Sequence, residues 1–247
     1  MDKYLKFYND FISKYDLSIE KNNKKKNHTF KVVENCNYIA RSLNLNEEEI
    51  FLANLIGLFH DIGRFVQLNK YGKFRDYETE DHALLSNAVL KENHILDDYK
   101  YKDIVYKAIE NHNKLNIETG LDDQTMLFCK IIRDADKLDI INEVIEGVTS
   151  LNSFNDDYSK DAVENILNGY PINPSIYPDL VDKSLVKIGL LNDINFNYTK
   201  EYILNNNMIE KLKRRYLQSN PGNKDSINLM FDKIKERLGN DNARKKI

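Results

Sequence analysis

Residues 46–64 read NEEEIFLANLIGLFHDIGR. Asn46 followed by Glu47, Glu48 and Glu49 marks a helix start, because acids in a first turn meet the positive end of the helix dipole. From Ile50 to Phe59 the chain is apolar almost all round, broken by Asn54, which predicts a central buried helix. That helix ends on His60-Asp61-Ile62-Gly63, where Gly63 is expected to take the left-handed conformation that stops a helix. An ionised aspartate at the end of a buried helix is costly unless it is paired or bound to a cation. The alternative is a turn with Asp61 exposed and His60 a satisfied core histidine.

Working outward, four more stretches place an imidazole or carboxylate on an apolar helical pattern: His28, His82, His112 and Asp136. Asn27 is expected to cap a helix carrying Val32, Val33, Cys36, Ile39, Ala40 and Leu43, which puts His28 in its first turn. Residues 66 to 79 read as a polar loop. Thr79 is expected to cap a helix starting near Glu80, with His82 in its first turn. Tyr101 to Asn111 reads as helical, and His112 follows on the face of Ile104, Val105, Ala108 and Ile109. Asp122 or Asp123 starts a helix through Leu127, Ile131, Ile132 and Ala135, and Asp136 is in register with Ile132. A single histidine on a helix is more often a packing or capping residue, and Asp134, Asp136 and Asp139 could make a solvated face with Arg133 and Lys137. The weight lies in the set, which takes four of the five histidines; His94 lies outside it and reads as a surface residue. Imidazole and carboxylate donors together suit Mn, Fe, Co, Ni or Zn without any thiolate.

Length and composition fit a soluble globular chain: 247 residues, 41% hydrophobic and 30% charged. A net charge of −3 offers no basic field for nucleic acid as the main partner. The run Lys21 to Lys26 reads as a solvated loop. Cys36 and Cys129 lie in apolar helical patterns and read as buried free thiols. Tyr4 to Tyr15 reads as a first amphipathic helix without the apolar core of a signal peptide. No apolar run is long enough to span a bilayer, so the cytoplasm is the default location. Apolar residues recur at helical spacing nearly throughout, which makes the fold class all-α. Composition shifts after about residue 150, with a proline-rich stretch from Tyr170 to Pro178. The expected organisation is a helical core over 1–150 and a helical extension over 151–247 packing on it, frayed from Asn240 to Ile247. The extension is expected to close the pocket, to form a homodimer, or both.

Asn27-His28-Thr29, Leu58-Phe59-His60-Asp61-Ile62-Gly63-Arg64 and Asp134-Ala135-Asp136-Lys137-Leu138-Asp139, in that order, resemble the HD-domain superfamily of metal-dependent phosphohydrolases. The resemblance covers about residues 25 to 145. It implies a bundle of about five helices around a metal held by His28, His60, Asp61 and Asp136. His82 and His112 fall where HD proteins with two metals carry their extra ligands, which makes Asp61 shared by both ions. The Gly-Tyr-Pro segment of the HD-GYP phosphodiesterases is absent, so cyclic di-GMP is not favoured. The implied activity is cleavage of a phosphoester of a nucleotide or related small substrate by metal-activated water, with Asp61 central. Lys137 directly follows Asp136 and Arg64 closes the His-Asp motif, and these two are the candidates for contacting phosphate, in binding and in catalysis; Lys114 is a weaker candidate of the same kind. Asp81, Asp134 and Asp139 are candidates to orient ligand imidazoles. Within the loop Gln67 to Thr79, Tyr71, Lys73, Phe74, Arg75 and Tyr77 are candidates to meet a base or phosphates. Two other functions fit the same ligands: a dinuclear iron oxygenase of the HD type, and a nucleotide-binding regulatory module with a structural metal.

Overall fold

The structure, a computed structural model, describes every residue except 154, 155, 174, 178, 179 and 244–247. Among the described residues the regular elements are all helical and no strand forms. This is the all-α architecture that the apolar spacing predicts. The chain divides into two compact units, Met1–Asp136 and Lys137–Ile247. The division falls inside one long helix, ahead of the composition shift near residue 150.

The first unit contains α1 (Asp2–Ile12), α2 (Glu20–Ser42), α3 (Glu47–Phe59), α4 (Gly63–Tyr71), α5 (His82–Glu92), α6 (Lys102–His112) and the start of α7 (Asp123–Glu146). Helix α3 is its centre and packs against α1, α2 and α6. Leu52, Leu55, Ile56, Leu58 and Phe59 are all buried, each contributing about 1.5–3 kcal/mol of hydrophobic stabilisation. The start of α3 is a reciprocal cap: Asn46 Oδ1 accepts from the amides of Glu48 and Glu49, and the Glu49 carboxylate accepts from the Asn46 amide. Helix α1 adds Tyr4, Tyr8, Phe11 and Ile12, with Tyr4 and Phe7 set edge-on to Phe59.

Four local expectations change. Helix α2 begins at Glu20, not at Asn27, so Lys21 to Lys26 are helical and His28 lies more than two turns inside. Straight-chain lysines lose little rotamer freedom in a helix, so a basic run need not be a loop. Residues 63–71 are helix rather than loop: Phe65 and Leu68 supply an apolar face, and Gly72 ends the helix in the left-handed region at φ 69°. Gly63, by contrast, does not adopt a positive φ. It opens α4 where that helix meets the start of α5, and a Cβ there would lie 2.4 Å from both His82 O and Ser86 N. Glycine is needed for close approach and not for a left-handed stop. Asp81, not Thr79, caps α5, accepting from the Ala83 amide.

The second unit continues from α7 into α8 (Lys160–Leu167), two single-turn helices α9 (Leu180–Lys183) and α10 (Val186–Gly189), then α11 (Asn197–Asn205), α12 (Met208–Ser219) and α13 (Lys224–Ala243). Helix α13 packs against α8, α11 and α12, burying Ile227, Met230, Phe231 and Ile234. Helical structure persists through Ala243, so fraying does not begin at Asn240; residues 244–247 lie outside the described residues. Among the described residues no helix is long and apolar enough to cross a membrane. Cys36 and Cys129 are free and buried.

Candidate metal centre

Five helices carry the six sequence-selected side chains to one place. His28 comes from the middle of α2, His60 and Asp61 from the end of α3, His82 from the first residue of α5, His112 from the last of α6, and Asp136 from α7. All but Asp136 are buried, and Asp136 keeps 16% of its side chain exposed. Asp61 divides the group. Its Oδ2 faces His28 Nε2 at 3.5 Å and His60 Nε2 at 3.7 Å. Its Oδ1 faces His82 Nε2 at 3.1 Å and His112 Nε2 at 3.7 Å. Asp136 Oδ1 joins the first set, 3.0 Å from His28 Nε2 and 3.8 Å from His60 Nε2.

The imidazole tautomers decide what this arrangement can hold. His60 Nδ1 donates to Gly57 O at 2.8 Å and His112 Nδ1 donates to Ile109 O at 2.6 Å. A carbonyl can only accept, so in each neutral ring the proton is on Nδ1 and Nε2 offers a lone pair. His82 Nδ1 is fixed the same way by Asp76 Oδ2 at 2.7 Å. The Nε2 atoms of His82 and His112 nevertheless lie 2.9 Å apart, and those of His28 and His60 3.4 Å apart. Two Nε2 lone pairs facing each other beside a carboxylate, as at His82 and His112, fit a cation placed among them. The donor sets therefore fit divalent ions, with imidazole and carboxylate donors and no thiolate. The ligand atoms of His28, His60 and Asp136 all lie within 4.8 Å of one another, as do those of His60, Asp61 and His112.

Electrostatics favour the unprotonated form of His60, Asp61 and Asp136. Burial pushes the His60 imidazole down to about 3, against the opposing pull of Asp61. Burial opposes charge on Asp61, yet the Lys25 ammonium and the neighbouring imidazoles hold its carboxyl well below the usual carboxylate range. Asp136 behaves alike: burial is outweighed by the hydrogen bond and charge of His28 and by His60. The sign of the pH dependence follows. An unfolded chain protonates His60 near pH 6.5, while the folded chain does so only near 3, so this contribution is complete above about 6.5 and shrinks as pH falls. The carboxylate contributions, also from depressed pKa values, are lost below about pH 4. Chelator-treated protein is expected to lose on the order of 2 kcal/mol between pH 7 and pH 5 through His60. Urea midpoints at the two pH values test this, and the loss should flatten in His60→Gln; an equal loss in the variant would sink the assignment.

A second layer of contacts organises the His82 side, and its hub is a residue the sequence did not single out. Asp76 sits in a single 3-10 turn, Asp76–Glu78, between α4 and α5. Besides His82, it accepts from Arg64 at 3.0 Å, Gln67 at 2.9 Å and Asn113 at 3.2 Å. Burial works against its charge, but His82, Arg64 and Gln67 hold it far below the usual carboxylate range. Sequence reasoning gave the orienting role to Asp81. In the structure Asp81 instead accepts from Asn113 at 2.7 Å and Lys114 at 2.5 Å. Asp134 and Asp139 are both buried. Asp76→Asn leaves the shape but weakens the hydrogen bond that fixes His82, so Mn affinity at the His82/His112 set should fall about 10–100-fold. Calorimetric titration reads this directly, and an unchanged weaker site would refute the role.

The candidate phosphate contacts separate. Arg64 remains beside the cluster: its Nε is 3.6 Å from Asp61 Oδ1 and its Nη1 donates to Gln67 at 2.8 Å. Lys114 is held by Asp81, with 41% of its side chain exposed. Lys137 belongs to the second unit, where its buried ammonium lies 2.7 Å from Asp193 Oδ2. Lys25, passed over as part of a basic loop, places its ammonium 2.6 Å from Asp61 Oδ2. Of the aromatic and basic candidates over 67–79, Phe74 lies beside these cations, its ring 5.9 Å from Lys25 Nζ and 5.7 Å from Arg64 Cζ. Tyr71 donates to Glu80, and Lys73 and Arg75 both pair with Glu78. Tyr77 is exposed.

Comparison with known proteins gives one result. Residues 26–141 match the family model described as HD domain, a span that takes in all six clustered side chains. No curated protein and no solved structure matches the chain. HD domains bind divalent metals, and the family points to metal-dependent hydrolase chemistry. The match supports membership of residues 26–141, which carry the His-Asp pair and its partners on five helices, in the HD-domain superfamily.

Proposed function

We propose that the protein is a metal-dependent phosphohydrolase that cleaves a phosphoester bond of a nucleotide or related small phosphorylated substrate. One observation carries this reading: the two oxygens of Asp61 face two separate pairs of imidazole Nε2 atoms. Two divalent ions, drawn from Mn, Fe, Co, Ni or Zn, supply at such ligand sets an acidified water and neutralisation of phosphate oxygens. The rest is the work of the chain's own residues. Asp61 belongs to both donor sets and fixes their spacing. Gly57, Ile109 and Asp76 hold three imidazoles in the tautomer that presents Nε2. Burial keeps bulk water away and strengthens every charge interaction in the cluster. Arg64 brings a planar fork suited to phosphate next to Asp61 Oδ1. Phe74, between Arg64 and Lys25, offers a ring face for a nucleobase.

The test is turnover. Purified protein, loaded separately with Mn, Fe, Co, Ni, Zn and Mg, is incubated with a panel of phosphomonoesters, phosphodiesters and nucleotides. His60→Ala and Asp61→Ala run in parallel. Metal-dependent release of product or phosphate, absent from both variants, is the expected result. Bound metal without hydrolysis of any panel member would overturn the proposal.

A further inference from the structure

Lys25 lies one turn before His28 on α2 and reaches the same cluster by the same helical register. Its ammonium is 2.6 Å from Asp61 Oδ2, the oxygen that faces His28 and His60. Only 18% of the Lys25 side chain is exposed. An ammonium there satisfies the carboxylate oxygen that a cation held by His28, His60 and Asp136 would also need. Two positive charges on one buried carboxylate oxygen repel, and the repulsion is little screened away from water. Lysine can yield its place, because its charge is a compact point on a flexible four-carbon stem. The Phe74 ring, 5.9 Å from the ammonium, is within reach of that stem. Arg64 Cζ lies 5.7 Å from the same ring.

We propose that Lys25 is a two-position side chain that competes with a divalent ion for Asp61 and, once displaced, binds the oxygens of a phosphate group. The inference rests on the phosphohydrolase reading of the site and adds to it a residue for anion binding and a coupling. Metal binding frees the ammonium for the anion, and the anion, by holding the ammonium away from Asp61, tightens metal binding. Such coupling is reciprocal by linkage.

The experiment measures two equilibria in the full chain and in Lys25→Gln. Mn affinity is read from the resonance of free ion, and inorganic phosphate affinity of Mn-loaded protein by calorimetry. Removing a competing charge in contact with the shared carboxylate should tighten Mn binding about tenfold. Losing a charged hydrogen-bond donor should weaken phosphate binding by about tenfold or more. The two shifts have opposite signs, which general damage to the fold cannot produce. Lys25→Arg keeps the charge and should leave Mn affinity near that of the natural chain. Weaker or unchanged Mn binding in Lys25→Gln would overturn the proposal, as would unchanged phosphate binding. If both shifts occur but no phosphoester in the panel is hydrolysed, the phosphohydrolase reading fails and the role of Lys25 stands. A natural chain that binds no Mn defeats both.

Discussion

Asp61→Asn should remove metal-dependent turnover by on the order of 10³-fold or more and strip metal from both ligand sets. The magnitude exceeds the 10²–10³ typical of losing one electrostatic contact in an active site, because this carboxylate is common to two. Asn keeps the shape of the side chain but replaces one charged oxygen with an NH₂. Whichever way the amide turns, one of the two nitrogen pairs then faces a donor in place of an anion. Oδ1 is 3.1 Å from His82 Nε2 and Oδ2 is 3.5 Å from His28 Nε2, so neither set can be spared. The substitution also leaves the Lys25 ammonium, 2.6 Å away, without its carboxylate. His82→Ala provides the contrast, since it removes a donor from one set only. Metal content after gel filtration, measured for the natural chain and both variants, separates the cases. Asp61→Asn is expected to retain less metal than His82→Ala. Equal retention would mean that Asp61 does not serve both sets, and an unaltered turnover rate would mean that it is not part of the chemistry.

The contrast between Asp61 and Asp76 shows how much of this site was legible in the sequence. Asp61, Asp136 and the four histidines stand on segments with strong helical periodicity, so their inward register can be read from their apolar neighbours. The same holds for the Asn46 cap and the buried helix behind it. Asp76 stands in a polar stretch with no period, and its contact with His82 exists only once α4 and α5 are packed together. Gln67 is missed for a related reason: it is fully buried, but as a polar residue satisfied by Asp76, Thr79 and the Glu80 carbonyl. Hydropathy cannot anticipate burial of that kind. Lys25 is hidden differently. Its helix was legible from Val32 onward, but six consecutive residues rich in lysine masked the start at Glu20. Extending the helical register backward from His28 puts Lys25 on the ligand face, so the signal was present and composition obscured it. Arg64 and Lys137 read as phosphate-contact candidates from their place in the ligand motifs. Lys137 pairs with Asp193, a partner far along the chain that local sequence does not announce.

Gly63→Ala should be the most damaging single methyl addition in the first unit. The added Cβ would lie 2.4 Å from His82 O and 2.4 Å from Ser86 N, and 2.8 Å from Leu85 Cβ. Two of these neighbours are backbone atoms in the first two turns of α5, so no rotamer change relieves the contact. Helix α5 must move away from the His60-Asp61 turn or α4 must tilt. The Ser86 hydroxyl now ties the two together, accepting from Gly63 N at 2.9 Å and lying 2.8 Å from His60 O. That tie lengthens with either movement. Overpacking of this sort costs about 3 kcal/mol, or roughly 6–12 °C in melting temperature for a chain of this size. The displaced element begins with His82, so the loss should not be confined to stability: the His82/His112 set should bind metal more weakly than the set built on His28, His60 and Asp136. Thermal melts in chelator and stepwise Mn titrations of the folded variant measure the two effects independently. Ser86→Ala serves as a milder companion, removing the tie without adding bulk. If Gly63→Ala melts within a degree or two of the natural chain, the close approach of α4 and α5 is not a fixed feature of the fold. If it is destabilised yet binds metal normally at both sets, the position of His82 is set by Asp76 alone and not by the packing beneath it.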